Sequence, residues 1–552
     1  MPDTTDALKD TRPIWEVVIP AGAVIAVLCV LIYLYPVASK IALDATFSFI
    51  SNNFGSFYLW FNLFLTGLAA FFIFSRYGNI KFGPKGEAPQ FSNMKWISMM
   101  FCAGVAGAVM FWSIAEPLYN LNSPPRHLEP LSLDAFKWST TYVLFHWGPF
   151  TWVWYVICSL PICYMYYKRG TPLLRLSAAC EDGLGKRLCD KVGPIIDIAF
   201  CIGLIASNTA VMGISIPIVA NALAAVFGIE PTIHVQLICL VVGSLIFTVS
   251  VALGLEKGAS RLAAANVFIA LAMIFFALVV GPTRFIFDNF TNAVGTIFSH
   301  YFEMSLATDP HDLSEGAAHF PQTWTIFYSL WMASYGPFMG LFIARISKGR
   351  TVRQIVSMGV ICGVIGSWLI HSVFGGFTLH LQLTNTFDAA GHLAQFKNPT
   401  QTVVMVLSYL PMKSLVLIGY CLFSTIFLAT SLDASASSLA AACTRRLGSD
   451  GQPSMPHRFF WAVLTALLPA VLLYLESIEP MKTFGNVSGA CMILVIIPLL
   501  LSWFMMLKSE NAVALKYDDL AQASGSATPG AAPQSSGVAA EATVDEASLT
   551  RT

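Results

Sequence analysis

Twelve apolar runs, each long enough to cross the hydrocarbon of a bilayer, recur along this chain of 552 residues. A helical span needs about 20 predominantly apolar residues. The first run covers about Val17 to Tyr35. The others lie at roughly 57–74, 96–115, 138–167, 194–227, 233–254, 262–281, 324–346, 354–381, 414–442, 459–475 and 484–507. Inside a bilayer no water is available to backbone N–H and C=O groups, so an apolar segment of this length satisfies them within itself as a helix. The expected fold class is therefore an all-α polytopic membrane protein. Composition agrees: 56% of residues are hydrophobic and only 11% charged, where an ordinary globular domain carries about 25% charged residues. No small-residue cleavage site follows the first run, which reads as a retained helix and not a signal peptide.

The cations orient the spans. The loops at 75–95, 168–192, 255–261, 345–353 and 443–458 hold 19 Lys and Arg residues, and the six loops that alternate with them hold 7. By the positive-inside rule the richer set is cytoplasmic, and an even number of spans puts both termini there. Residues 1–13 form a cytoplasmic N-terminal segment, 14–507 the membrane domain, and 508–552 a tail rich in Ala, Ser, Gly and Pro that is expected to be disordered. The longer connection at 282–320 begins RFIFDNFTNAVGTIFSHYF after Thr283. Its apolar residues fall at helical spacing, as in an amphipathic helix on the outer interface, and a plain connecting loop is the alternative.

Several function classes find no support. Formal net charge is zero, which gives no footprint for nucleic acid. The 12 cysteines are scattered through apolar runs, with no CxxC pair and no His/Cys cluster, so neither a disulfide framework nor a zinc site is indicated. There is no HExxH, no phosphate-binding Walker loop and no G-x-S-x-G, and AGVAGA follows no strand. An enzyme and a resident cofactor are not expected.

Four stretches carry the chemistry. In TWTIFYSLWMASYGPFMGLFIARISKGRTVR (Thr323 to Arg353), Trp324, Tyr328, Trp331 and Tyr335 make one helical stripe. Gly336 and Pro337 suggest a break at mid-depth, and a broken, aromatic-lined helix suggests a cavity for a cation or an apolar headgroup. In MMFCAGVAGAVMFWSIAEP (Met99 to Pro117), Gly104, Gly107 and three neighbouring alanines either unwind the span so that its backbone binds an ion or serve close helix packing. FHWGPFTWVWY (Phe145 to Tyr155) joins aromatics to a second Gly-Pro pair. It reads as an interfacial aromatic belt or as part of the same chamber. In IFLATSLDASASS (Ile426 to Ser438), Thr430, Ser431 and Asp433 are costly in hydrocarbon unless they face protein or a cavity. Hydroxyl oxygens suit a hard monovalent cation, and interhelical hydrogen bonding is the alternative. Glu116, His146, Asp197 and His371 sit near span ends, where packing or turn-holding roles are the common ones.

Together these segments resemble the betaine/carnitine/choline transporter family over about residues 14–507. The markers are MMFCAG…EP (99–117), FHWGP (145–149), FPQTWTIFY (320–328), FLATSLDASA (427–436) and, most specific, FIARISKGRTVR (342–353). The resemblance implies two inverted five-helix repeats of the leucine-transporter type, at about 96–281 and 324–507, preceded by two further helices. It implies a central site between spans 3 and 8 with aromatics from span 4, a homotrimer in whose assembly the helix at 284–302 takes part, and the bacterial inner membrane as its place. It also implies substrates with a quaternary-ammonium or similar onium group. Such a group cannot lose its charge and has no N–H to donate, so aromatic faces hold it, at about 2 kcal/mol or more per desolvated contact.

Carried over position by position, Trp331 and Tyr335 occupy aromatic-box places, and Trp147, Trp152 and Tyr155 match the aromatics of span 4. Where members read FYWAWW this chain reads FYSLWM, so Met332 stands in for the second box tryptophan and Ser329 for another. In sodium-coupled members, span-3 carbonyls and a Thr-Ser pair preceded by Phe bind the ion. Here those places are Cys102 and Val105, with Phe427, Thr430 and Ser431. Ser207, Asn208 and Thr209 fall near a second family sodium site without a clear register. The resemblance thus implies import of glycine betaine, carnitine or choline by sodium symport. Met339, standing where an exchanger of the family uses a methionine in place of sodium, keeps open sodium-independent carnitine/betaine antiport. A channel or sensor is the rival from another class. Osmosensing members carry long terminal extensions with a basic helix; this tail is short and mildly acidic, and little osmotic activation is expected.

Overall fold

A computed structural model describes residues 12–83, 86–104, 107–171, 173, 175–253, 260–311, 319–447, 452–473 and 479–525. Among these residues there are helices and no strand. The principal helices are α1 (Trp15–Leu34), α2 (Pro36–Phe74), α3 (Asn93–Gly104), α4 (Gly107–Asn122), α5 (Leu133–His146), α6 (Pro149–Cys163), α7 (Lys186–Phe227) and α8 (Ile233–Leu253). They continue with α9 (Ser260–Val280), α10 (Thr283–Leu306), α11 (Phe327–Ile346), α12 (Val352–Ile370), α13 (Lys413–Ala442), α14 (Met455–Leu473) and α15 (Glu479–Gly525). Among the described residues, ten stretches are long and apolar enough to cross a membrane, up to 11 when α3 and α4, bent by 45°, count as one. Ile233–Val249 within α8 is a shorter apolar helix. Among the described residues, each apolar run of the sequence falls mainly on helix. The chain is an all-α, multi-pass membrane protein.

Local chemistry sets the helix ends. Pro36 and Pro149 open α2 and α6 at first-turn positions, where the missing N–H has no helical partner to lose. Ser132 caps α5 by accepting from Ala135 N at 3.2 Å. Thr351 and Gln354 form a reciprocal capping box on α12. The amphipathic pattern after Thr283 forms the helix α10, not a loop.

Burial separates inner helices from outer ones. The apolar window of α5–α6 is 94% buried and that ending in α11 89%, against 28% for α9 and 33% for α1. Phe268, Phe275 and Leu494 stand exposed on outer helices, as on a lipid-facing surface. Small residues let the inner helices meet closely, as membrane interiors require. A Cβ on Gly340 would press on the α6 backbone at Cys158 and Ser159, one on Gly363 on the Trp152 ring, and one on Gly366 on the Phe101 carbonyl.

The marker FIARISKGRTVR forms a clasp. Arg353 donates from Nε to Ile73 O at 2.7 Å and from Nη2 to Ser75 O at 3.0 Å. Arg350 donates to Phe91 O at 2.7 Å and lies over the Trp96 ring at 4.5 Å. Lys348 pairs with Glu87 at 2.7 Å. The basic residues therefore fix the 75–95 loop and do not merely mark a membrane side.

Two expectations are corrected. The Gly336–Pro337 pair does not break its span, because α11 runs unbroken from Phe327 to Ile346 with Pro337 inside it. Gly336 instead faces α6, and Pro in a spanning helix is tolerated where neighbours cover the freed backbone groups. The last helix also continues to Gly525, through residues where composition predicts disorder. The chain divides into one unit ending at Met506 and a second beginning at Leu507. Residues 526–552 of the tail lie outside the described residues.

Candidate functional site

The interruption between Gly104 and Gly107 leaves α3 and α4 as two short arms of one bent span. Beside the bend lies a cavity of about 70 Å³. Ala103, Gly104, Ala108 and Val109 form its wall on the bent span. On α11, Trp331, Tyr335 and Met339 follow one another at four-residue spacing and face the cavity together, with Met332 beside them. Trp152 and Tyr155 enter from α6, and Trp147 from the turn before it. Val211, Ser367 and Phe427 close the remaining sides from α7, α12 and α13. All six side chains expected to hold a substrate thus line one chamber.

Two ring pairs meet edge to face and a third is tilted. Trp152 and Tyr155 lie 5.3 Å apart at 79°, Trp147 and Trp331 6.3 Å apart at 77°, and Tyr155 and Tyr335 6.3 Å apart at 59°. Such geometry presents π faces to a central guest while ring edges hold one another. Met332 Sδ accepts the Tyr155 hydroxyl at 2.9 Å. The stripe on α11 continues outward as a stacked column: Tyr328 lies over Trp331 at 6.1 Å and 13°, and Trp324 over Tyr328 at 6.2 Å and 27°.

Ser367 was not singled out in the sequence. Its hydroxyl accepts from Trp152 Nε1 at 3.4 Å and donates to Gly104 O at 3.4 Å. It ties an aromatic wall to the last described carbonyl before the bend. The available signal was the run of small residues Gly359, Gly363, Gly366 and Ser367 on one stripe of α12.

Glu116 is the larger omission. Read as a turn residue, it is fully buried, as is His146. Glu116 Oε2 accepts from Trp147 Nε1 at 2.9 Å and from the Tyr328 hydroxyl at 2.5 Å. Oε1 faces His146 Nδ1 at 2.9 Å, and His146 Nε2 faces the Thr325 hydroxyl at 3.2 Å. His371 stacks on Trp147 at 5.1 Å and bonds through Nδ1 to Ser367 O at 2.7 Å. The signal available was a carboxylate and two histidines in apolar spans, which by default mark function.

The expected ion ligands are less gathered. Phe427 lines the chamber. The Thr430 hydroxyl, on the same helix, turns back onto Ile426 O and Phe427 O, at 3.0 Å each. Ser431 and Cys102 are half-buried and do not line the cavity. Val105 lies outside the described residues. Asp433 is held by Arg458 at 2.6 Å, a structural ion pair between α13 and α14. Asp197 accepts from Ser177 N at 3.1 Å and Oγ at 2.6 Å, reaching back into the basic loop. Ser334 on α11 contacts Ser207 of α7, and its hydroxyl also meets Ser488 at 2.9 Å. Among the described residues no group of three His, Cys, Asp or Glu side chains could hold a metal ion.

The family model described as betaine/carnitine/choline family transporter matches residues 16–512. A carnitine transporter of Acinetobacter baumannii is 31% identical over 439 residues, 79% of this chain and 77% of the relative. The uncharacterized transporter YeaV of Escherichia coli is 31% identical over 418 residues, 76% of this chain and 85% of the relative. Among solved structures, a sodium-coupled sialic acid symporter aligns over 81% of this chain and 84% of its own, at 12% identity and a TM-score of 0.37. A likeness that low carries no argument.

Proposed function

The chain belongs to the betaine/carnitine/choline family of transporters, and from that premise we propose that it imports a quaternary-ammonium compound by secondary active transport coupled to sodium. The observation that carries the substrate class is the aromatic chamber at the bend. Trp147, Trp152, Tyr155, Trp331 and Tyr335 line one small volume. A permanent cation with an apolar shell is stabilised there by π faces, without hydrogen-bond donors of its own. A 31%-identical relative is named for carnitine and the matching family model for betaine, carnitine and choline, which supports these three as the first candidates.

The mechanism follows from the arrangement. The substrate enters from the side of Trp324 and Tyr328, settles against Trp331 and Tyr335, and leaves when the helices around α3–α4 and α11 rock against the rest. Twelve spans in two inverted repeats, both termini cytoplasmic in the inner membrane and a homotrimer assembled through α10 complete the proposal. The orientation is supported by the 19 Lys and Arg residues of one loop set against 7 of the other.

Sodium coupling is supported by Phe427 in the chamber wall with Thr430 and Ser431 next along α13. Uptake of labelled carnitine, betaine and choline into proteoliposomes, with and without an inward sodium gradient, tests it. Accumulation that depends on the gradient is expected, and uptake indifferent to sodium would remove the symport. One observation favours sodium-independent antiport instead: Met339 lines the same chamber. Counterflow driven by internal substrate alone, in sodium-free buffer, is the signature of that second reading. A channel would equilibrate the substrate and never accumulate it.

A further inference from the structure

We infer that Glu116 is the buried counter-charge of the onium chamber, acting through the two rings that it grips; the inference rests on the transport reading above. Trp147 Nε1 can only donate, and its proton is shared between Glu116 Oε2 at 2.9 Å and the Tyr328 hydroxyl oxygen at 3.1 Å. The Tyr328 hydroxyl donates to the same oxygen at 2.5 Å. His146 bridges Glu116 and Thr325, with Nδ1 2.9 Å from Oε1 and Nε2 3.2 Å from the Thr325 hydroxyl. Two donors, the Trp147 indole and the Tyr328 phenol, thus converge on one carboxyl oxygen, the arrangement that suits a charge-bearing acceptor.

Among the described residues its ionisable partners are His146 and Tyr328, and neither is a fixed cation. Other titratable groups near α4 make their hydrogen bonds to other residues, though the His371 ring lies within electrostatic reach of Glu116. His371 Nδ1 bonds Ser367 O at 2.7 Å, and the Tyr142 ring packs on His146 at 5.6 Å. On the outer side, Asp388 takes Gln382 at 3.0 Å and His392 takes Thr402 at 2.9 Å. A single buried negative charge is costly unless something offsets it. The chamber lies one ring away. Trp147 lines the cavity while its N–H touches the carboxylate, and Tyr328 stacks on the lining residue Trp331 at 6.1 Å. A carboxylate accepting an indole N–H and a phenol O–H polarises both groups and deepens the negative π faces. Through a water-poor interior it also attracts a cation directly. The site therefore selects its guest by charge as well as by shape, with the charge held where the guest cannot form an ion pair with it.

The rival role is mechanical, a bracket that merely holds two rings. Charge discrimination separates the two. The purified full chain in nanodiscs is titrated with glycine betaine, carnitine and choline. Each is compared with the analogue in which carbon replaces the quaternary nitrogen, the same shape without the charge. In Glu116→Gln the preference for the charged head over its analogue should fall about tenfold or more, with the analogue's own affinity nearly unchanged, and Glu116→Asp should restore it. Equal loss of both ligands, or an unchanged preference, overturns the inference. If Glu116→Gln does not fold, Tyr328→Phe decides. It keeps the ring and the carboxylate but uncouples one of the two gripped rings, so the preference should fall by less than in Glu116→Gln with the analogue's affinity unchanged, and an unchanged preference or an equal loss of both ligands overturns the inference. A wild-type chain without any preference for the charged heads overturns the transport reading and this inference together. Wild-type preference that survives Glu116→Gln overturns this inference alone.

Discussion

Met332 is where the chamber departs from an all-aromatic cage, and its thioether accepts the Tyr155 hydroxyl at 2.9 Å. The substitution was legible in the sequence; its consequence was not, because that depends on which hydroxyl the sulfur meets across two helices. Met332→Leu keeps the volume and removes the acceptor. It should destabilise the protein by about 1 kcal/mol through the unpaired hydroxyl, read as a lowered melting temperature in detergent, with a smaller effect on onium affinity than loss of a ring. Trp331 is the contrasting case. It presents a face to the chamber and stacks on Tyr328 at 6.1 Å, so Trp331→Ala should weaken binding of the transported onium compound about tenfold or more, measured by equilibrium titration. Unchanged affinity would remove Trp331 from the cage. Thr430 makes a conditional case. Its hydroxyl rests on its own helix, so Thr430→Ala should leave the fold intact and, if sodium binds there, raise the sodium concentration for half-maximal uptake about tenfold.

At the scale of the element, spacing predicted the helices well, but breaks poorly. Three segments carried small-residue or Gly-Pro signals: the span bends between Gly104 and Gly107, the break between α5 and α6 falls at Gly148 and Pro149, and Pro337 lies within an unbroken α11. The difference lies in what surrounds each site. Gly336 and Gly340 abut α6 around Trp154 and Cys158, so glycine there brings helices together instead of unwinding one. The same holds for α12, where a Cβ on Gly363 would strike the Trp152 ring. Gly363→Ala should therefore push a wall into the chamber, costing about 1–3 kcal/mol by overpacking and abolishing most uptake. Gly67, with nothing within 4 Å of its would-be Cβ, supplies the control, and Gly67→Ala should leave both stability and uptake near wild type.

On the scale of the whole molecule, the tail and α10 carry the remaining expectations. The segment from 508 onward holds no basic cluster, so raising external osmolality should change the transport rate little; a steep rise in proteoliposomes would contradict this. The face of α10 bearing Phe287, Phe298 and Phe302 is exposed, and native mass spectrometry of the detergent-extracted protein should return three chains if that face joins protomers. The sequence by itself determined that the chain crosses a membrane many times as helices, because apolar runs without water admit no other open structure. Its spacing also put Trp331 and Tyr335 on one helical stripe, a one-dimensional property, while the resemblance to the family is what assigned Trp147, Trp152 and Tyr155 to the same chamber. Only the tertiary structure decided that Glu116, His146 and Tyr328 converge behind two of those rings, and that Ser367 ties Trp152 to Gly104. These contacts join residues far apart along the chain, and periodicity within a helix carries no information on which neighbour a polar side chain will meet.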